Sequence, residues 1–356
     1  MTTPALPHAT QRLRLRRLGV HDLATFQAYR SDPELARYQG WQAQDDAAAL
    51  AFLQQMAASP WCPPGAWCQI GIAAPDRQAP DRDAPGSDTL IGDIGLHLHA
   101  DGAAAEIGFT LSRAAQGRGL GTVAVAAAID LLFAHTPALR VLGITDARNA
   151  ASVRLLQRVG MKRYTTLETE FRGQPCVERF FVRHRQPLAA PTLRTAVADD
   201  AAAVARVLIE ARRELMPYAP SAHDDADVRR WVAQELIPSG GVTVAQVQDG
   251  VGGVLAVSQT AQVAWIDQLH VHPTCVGAGV GHLLLAHALA TLPRPLQLYT
   301  FQANLHARAF YEDHGFVAVA FGDGSSNEER CPDVLYRLEA ADAASRPPEP
   351  GLRSGT

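Results

Sequence analysis

Two short runs of this 356-residue chain have the composition of a phosphate cradle. The first is Gln116-Gly117-Arg118-Gly119-Leu120-Gly121-Thr122, and the second is Val276-Gly277-Ala278-Gly279-Val280-Gly281-His282. Glycine lets a backbone come close to a ligand, and a helix start offers free N–H groups at the positive end of a dipole. Before the first run, Ile107, Phe109 and Leu111 alternate, as in a strand with one face in a core. After it, Val125, Ile129, Leu132 and Phe133 recur at helical spacing. A strand, a glycine turn and a helix N-terminus suit a bound phosphate. They would equally suit a turn packed closely against a sheet.

Two common phosphate motifs can be tested on the residues. A Walker loop needs the lysine of Gly-Lys-Ser/Thr. Lys162 is the only lysine in the chain, so neither turn is a Walker loop. A dinucleotide fingerprint needs glycines at the first, third and sixth positions. Gly117 and Gly119 supply the first two, but the sixth position is Thr122. What remains is Gln-x-x-Gly-x-Gly between a strand and a helix.

Composition bounds the alternatives. The length suggests about two domains, and 47% apolar residues suffice for two cores. A net charge of −4 gives no case for nucleic-acid binding. No apolar run of about 18 residues suggests a membrane span, and the first residues lack the pattern of a signal peptide. Of 32 basic residues 31 are arginine, which with the abundant alanine reads as a bacterial coding bias. Cys62, Cys68, Cys176, Cys275 and Cys331 form no Cys-x-x-Cys pair. A reduced, cytoplasmic protein without a metal site is expected.

The elements around the two runs follow from periodicity and breakers. Leu13 to Arg16 reads as a strand, and a helix follows His21-Asp22 until Asp32-Pro33. A second helix is expected from about Asp45 to Met56, then strands at Trp67–Ala73 and Leu90–His99. The Pro- and Gly-rich segment from Pro75 to Ser87 reads as a mobile excursion. Beyond the first glycine turn come a strand at Val141–Thr145, a helix from Asn149 to Val159, and a hairpin turning at Arg172-Gly173. Residues 187–191 read as a linker. The second half predicts helices through Val204–Arg212 and Asp227–Leu236, then a hairpin around Asp249-Gly250. A strand at Trp265–His272 leads to the second turn and a helix carrying Leu285, Leu289 and Leu292. A strand at Leu296–Phe301 and a helix at Asn304–His314 complete it, and residues 341–356 read as a disordered tail.

This order is a duplication. Leu15-Arg16 stands seven residues before Asp22, as Leu193-Arg194 stands before Asp200. Each glycine turn precedes a helix, a strand, and an asparagine followed eleven residues later by glycine: Asn149 to Gly160, and Asn304 to Gly315. A chance turn would not repeat with the same neighbours on both sides.

With the Gln-x-x-Gly-x-Gly turn, both halves resemble the GNAT acetyltransferases, which use such a turn for the pyrophosphate of acetyl-CoA. In the first half the resemblance rests on Ile91-Gly-Asp-Ile-Gly95, Ala105-Glu-Ile-Gly-Phe109, the Gln116 turn, and Thr145-Asp-Ala-Arg-Asn149 with Ser152. It is similar to the branch that acetylates the N-termini of ribosomal proteins. In the second half it rests on His270-Val-His-Pro273, the second turn, and Asn304 with Ala309-Phe-Tyr-Glu312 and His314-Gly-Phe316, as in a small-substrate GNAT. The expected fold class is α/β (α+β): two tandem domains, 11–186 and 192–340. Each would have a mixed, mostly antiparallel sheet flanked by helices, with splayed central strands.

The resemblance implies acetyl transfer from acetyl-CoA to a primary amine by direct attack in a ternary complex. The acceptor would be a small-molecule amine or a peptide N-terminus. It implies coenzyme A binding by both glycine turns, by Asn149 and Asn304, and by backbone at Phe109-Thr110-Leu111 and Leu269-His270-Val271, where an N–H would stabilise the oxyanion. The amine must lose a proton to a group in reach. Glu106 and Glu170 are the candidates in the first half, and Asp267 in the second. The departing thiolate needs a proton. Tyr311 lies at the family's acid position, where the first half has Leu156 and offers Ser152 instead. Val276 replaces Gln116 in the second turn, so the alternative is one catalytic domain beside one acyl-CoA-binding or scaffolding domain. The acidic run Asp323–Glu329 could attract a cationic amine. His97 with His99, and His270 with His272, lack a third ligand, so no metal is expected. A homodimer is compatible with this reading.

Overall fold

A computed structural model describes residues 4, 6–75, 88–248 and 250–340. The expected excursion at 76–87, the turn residue Asp249 and the tail at 341–356 lie outside the described residues. The chain divides into two compact units, Met1–Ala189 and Ala190–Thr356. No described helix is long and apolar enough to cross a membrane.

The first unit contains β1 (His8–Ala9), β2 (Arg14–Arg17), α1 (Leu23–Arg30), α2 (Pro33–Ala36) and α3 (Asp46–Ala58). It continues with β3 (Trp67–Pro75), β4 (Asp88–Leu98), β5 (Ala104–Leu111) and α4 (Leu120–His135). It closes with β6 (Arg140–Asp146), α5 (Ala150–Arg158), β7 (Lys162–Phe171) and β8 (Gln174–His184). The sheet order is β1-β2-β3-β4-β5-β6-β8-β7, and only the β5–β6 pair is parallel. One core packs Ile107 and Leu111 of β5 against Val125, Ile129 and Leu132 of α4, so the alternation and the helical spacing meet. A second cluster seats Phe26 and Tyr29 of α1 and Leu53 and Met56 of α3 over Leu90 of β4. The short α2 was not foreseen. Asp32 caps it by accepting from the Glu34 N–H, and Pro33 occupies its first turn.

The second unit contains β9 (Thr192–Thr195), α6 (Ala201–Leu215), α7 (Asp225–Trp231), β10 (Val242–Val247), β11 (Gly250–Gln259) and β12 (Ala264–Val271). It ends with α8 (Val280–Thr291), β13 (Leu296–Phe301), α9 (Leu305–Asp313), β14 (Val317–Gly322) and β15 (Asp333–Leu338). Its sheet order is β14-β15-β13-β12-β11-β10-β9, again with one parallel pair, β12–β13. Three expectations shift. Gly250 belongs to β11 rather than to a turn. The helix expected at Asp227–Leu236 starts at Asp225 and ends in a wider turn over Val232–Leu236. In α8 the buried seam is Val280, Leu284, Leu285 and Ala288, and Leu292 lies beyond the helix.

The repeated Arg-to-Asp interval is one device built twice. Arg16 grips Asp22 at 2.8 and 2.7 Å, and the Gly19 N–H adds a bond at 2.9 Å. Arg194 grips Asp200 at 2.7 and 2.8 Å, with the Val197 N–H at 2.8 Å. Each pair ties an early strand of its unit, β2 in the first and β9 in the second, to the start of the helix that follows it. Burial works to raise the Asp22 carboxyl, but Arg16 and the Gly19 N–H outweigh it and hold it below the usual range. Asp200 is lowered too, first by Arg194. Side-chain exposure differs: 11% and 3% for Arg16 and Asp22, against 40% and 10% for Arg194 and Asp200. Arg16 Nε also holds Asp88 at 2.7 Å, so its charge keeps a partner when Asp22 is lost. Asp22→Asn is therefore expected to destabilise its unit by about 2 kcal/mol, and Asp200→Asn by about 1 kcal/mol. A depressed carboxyl contributes stability above its unfolded pKa of about 4, and that stability is lost as pH falls through the folded value. Denaturant melts at pH 7 and pH 3 check both: the wild-type advantage over Asp22→Asn should shrink at the lower pH.

Candidate functional site

The site of the first unit begins where its sheet opens. β5 and β6 pair only at Ala104–Arg140, Ala105–Val141 and Glu106–Leu142. β5 runs on to Leu111 and β6 to Asp146 without pairing, which leaves a wedge between them. The Ser112 N–H donates to Ile91 O and Ala104 O accepts from His99, both towards β4. Backbone groups alternate sides along a strand, so the N–H and C=O of Ile107, Phe109 and Leu111 point into the wedge. Thr110 points the other way. Two glutamines cap the carbonyls there: Gln39 Nε2 donates to Phe109 O at 3.2 Å, and Gln116 Nε2 to Leu111 O at 3.0 Å. The wedge therefore presents N–H donors with its neighbouring carbonyl acceptors already used.

The glycine turn lies at the lip of this wedge. Gly117 and Gly119 have φ of +71° and +74°, a left-handed backbone that other residues rarely adopt. Space is open where a Gly117 side chain would begin. Gly119 is the cap of α4, and the first N–H groups of a helix lack intrahelical partners. Arg12 braces the turn by donating to Arg118 O at 2.8 Å. A Cβ on Gly121 would lie 2.8 Å from Leu155 Cδ1, so that glycine lets α4 and α5 approach. Leu120 is buried and Thr122 half-buried in the first turn of α4. Bare backbone, free donors and a dipole end fit a pyrophosphate.

The two carboxylates expected to compete are placed differently. Glu106 lies on β5 at the narrow end of the wedge, opposite His97, whose ring stacks on Trp67 at 5.2 Å. Burial raises its pKa, the His97 ring opposes that, and Glu178 of β8 raises it further. Glu178 is itself raised, by burial and then by Asp146. It pairs across β6–β8 with Asp146 and shares the Glu106 face. Sequence reasoning missed Glu178, because only the β6–β8 register brings it to this face. Beside Glu106, Gly108 leaves open space on that face, while the Trp67 ring covers its cross-strand partner Gly95. Glu170 is exposed near the β7–β8 turn. There Arg172 donates to Gln39 O and Trp41 O at 2.9 and 2.6 Å, so the hairpin tip holds the loop that reaches Phe109.

Asn149 caps α5, its Oδ1 accepting from the Ser152 N–H at 3.1 Å. Ser152 is thus half-buried in the first turn, while Leu156, 1% exposed, packs in the core.

The second unit repeats the wedge. β12 and β13 pair only at Ala264–Leu296, Trp265–Gln297 and Ile266–Leu298. The His272 N–H donates to Gly252 O of β11 at 2.9 Å, so by alternation Leu269 and Val271 turn theirs into the opening and His270 does not. Gly277 and Gly279 have φ of +76° and +81°. Gly279 caps α8 with open space around it, and Gly281 faces Val271 and Phe310. Val276 and Val280 are buried, and Ala278 and His282 lie along the same turn, the His282 ring edge-on to Phe310. Asp267 sits at a register shift in β12, is exposed as a residue, and accepts from Ser258 Oγ at 3.0 Å; partial desolvation of the carboxyl raises it and the Ser258 bond opposes that. His270 meets Gln268 Oε1 at 2.9 Å and is lowered to about 4, first by burial and then by Arg212, so it is neutral at pH 7. His272 is engaged with Thr274 and with Glu210 of α6. Asn304 caps α9 through the Ala307 N–H at 3.1 Å. Tyr311 is 7% exposed, its ring against Phe310, Phe316 and Tyr336, and burial raises it.

Comparison with known proteins finds one family in both halves of the chain. A model of the acetyltransferase (GNAT) domain matches residues 12–162. A model of the acetyltransferase (GNAT) family matches residues 208–316. No curated protein matches the chain by sequence. Among solved structures, a GNAT-family acetyltransferase from Bacillus anthracis is similar at 16% identity and TM-score 0.42, covering 50% of this chain and 97% of its own. A spermidine N-acetyltransferase from Vibrio cholerae, in complex with CoA and spermine, is similar at 16% identity and TM-score 0.41, covering 49% and 97%. A ribosomal alpha-N-protein acetyltransferase in complex with coenzyme A is similar at 14% identity and TM-score 0.42, covering 50% and 97%.

Proposed function

The chain belongs to the GNAT acetyltransferases and carries two of their domains in tandem, and from that premise we propose that each domain binds acetyl-CoA and acetylates a primary amine. The domains are taken as 11–186 and 192–340. The observation that carries this reading is the wedge with inward N–H groups beside a bare glycine turn, present in both units. In the first, residues Gln116 to Thr122 would hold the pyrophosphate, and the N–H groups of Phe109 and Leu111 would face the acyl oxygen. Val276 to His282, with Leu269 and Val271, take these parts in the second. The cofactor supplies the activated acetyl group as a thioester. Glu106 holds the proton taken from the acceptor in the first unit, and Tyr311 supplies the thiolate's proton in the second. Asn149 and Asn304 fix the helices that border each wedge.

Two substitutions support a second reading, one catalytic domain beside one binding domain. Leu156 cannot donate a proton where the second unit has Tyr311, and Val276 lacks the amide by which Gln116 ties its turn to Leu111. Calorimetric titration of acetyl-CoA is expected to give two equivalents per chain. One equivalent would sink the claim that both domains are built for the cofactor.

A further inference from the structure

The second unit holds two buried polar atoms without a hydrogen-bond partner close to its wedge: Arg212 Nε and the Tyr218 hydroxyl. Arg212 lies near the end of α6. Its Nη2 donates to Glu329 Oε1 at 2.5 Å and to Pro220 O at 3.3 Å. Those bonds fix the guanidinium from its outer end and leave the Nε–H edge uncommitted. Tyr218 follows α6, and its ring stands edge-on to Phe301, the last residue of β13, at 6.3 Å and 86°. Burial raises Tyr218 and keeps its hydroxyl protonated, and Arg212 is near enough to act on it. Arg212 also acts on His270, on the other strand of the wedge. Because Arg212 reaches Pro220 O, two residues beyond Tyr218, and Tyr218 rests on Phe301 at the end of β13, the two orphan atoms lie in one neighbourhood on the α6 side of the β12–β13 opening.

An unpaired buried donor is costly unless a ligand satisfies it. Arg212 Nε–H can only donate, and the protonated Tyr218 hydroxyl can donate as well. Two donors beside a site for an amine call for an oxygen acceptor on the amine's own molecule. The acidic loop does not reverse this, since Glu329 is neutralised by Arg212 and Asp333 accepts from Asn327 Nδ2. We propose that the acceptor of the second unit is an amine with a carbonyl or carboxylate oxygen beside it, an α-amino acid or the first residue of a peptide, and that Arg212 Nε–H and Tyr218 O–H take that oxygen. This rests on reading the second unit as an acetyltransferase. The first unit presents the opposite chemistry on its corresponding face, with Glu106, Glu178 and Asp146.

The test uses the full chain with glycinamide, glycine, glycylglycine and ethylamine, rates being compared per unprotonated amine. Turnover lost in Tyr311→Phe is assigned to the second unit. The oxygen-bearing amines are expected to exceed ethylamine in kcat/KM by about 100-fold. Tyr218→Phe, which preserves shape, should cut that preference about tenfold through KM and leave ethylamine unchanged. Glycine against glycylglycine then tells a free amino acid from a peptide N-terminus. Equal use of ethylamine, or a Tyr218→Phe loss shared by every amine, overturns the proposal. Binding is read separately by calorimetry with coenzyme A present. Glycinamide binding that Tyr218→Phe weakens upholds the proposal even without turnover, in which case the acetyltransferase reading alone fails; no preference over ethylamine overturns it.

Discussion

Glu106→Gln is expected to lower amine acetylation by the first unit about 100- to 1000-fold, with acetyl-CoA binding little changed. Glutamine keeps the shape and the cross-strand neighbours of Glu106 but cannot accept a proton. The glycine turn lies at the other end of β5, so the cofactor cradle is left intact. The pH dependence gives a sharper check. Burial raises the Glu106 carboxyl and Glu178 raises it further, so the base becomes competent only above the ordinary carboxylate range. In a Tyr311→Phe background, kcat/KM should rise with pH through that raised value, and the limb should vanish in Glu106→Gln. The acceptor's own ionisation is common to both proteins and cancels in the comparison. Glu178→Gln removes a negative neighbour and should move the limb to lower pH without abolishing it. Glu170→Gln, at an exposed position near the hairpin turn, should change the rate by less than about threefold. An unmoved limb in Glu178→Gln, or a large loss in Glu170→Gln, would reverse the assignment of the base.

The parts of this site readable in the sequence are those with a local cause. A glycine at positive φ, an asparagine at a helix cap and an apolar alternation each serve their own few residues. Gly117, Gly119, Asn149, Ile107 and Leu111 were legible for that reason, and the second copy separated them from chance. The rest depends on register and on long-range pairing. Glu178 reaches the wedge face because β8 pairs with β6 in one register, and a shift of a single residue would turn it to the other face. Gln39 caps Phe109 from a loop 70 residues away with no periodic signal. Tyr218 stands out only because its hydroxyl is buried and unpaired, which no spacing records. Asp267, the expected base of the second unit, falls at an irregularity where the strand no longer alternates simply, and no spacing in the sequence marks that break.

Tyr311→Phe should lower turnover by the second unit about 100-fold or more while acetyl-CoA still binds. The ring is nearly buried among Phe310, Phe316 and Tyr336, so phenylalanine fills the same space and the fold should hold. Its neighbour supplies an internal comparison. The Tyr336 hydroxyl, which donates to Glu312 at 2.5 Å and accepts from Arg308 at 3.3 Å, is tied within the unit. Removing that hydroxyl should cost about 1 kcal/mol of stability and leave the chemical step largely intact. Removing the Tyr311 hydroxyl should do the reverse. Because burial raises Tyr311, it remains protonated through neutral pH and can give its proton to a departing thiolate. A thioester with a more acidic thiol needs less help on leaving, so the penalty of Tyr311→Phe should shrink with such an acyl donor. A penalty independent of the leaving thiol, or one matched by a fall in melting temperature, would assign Tyr311 to packing and not to proton transfer.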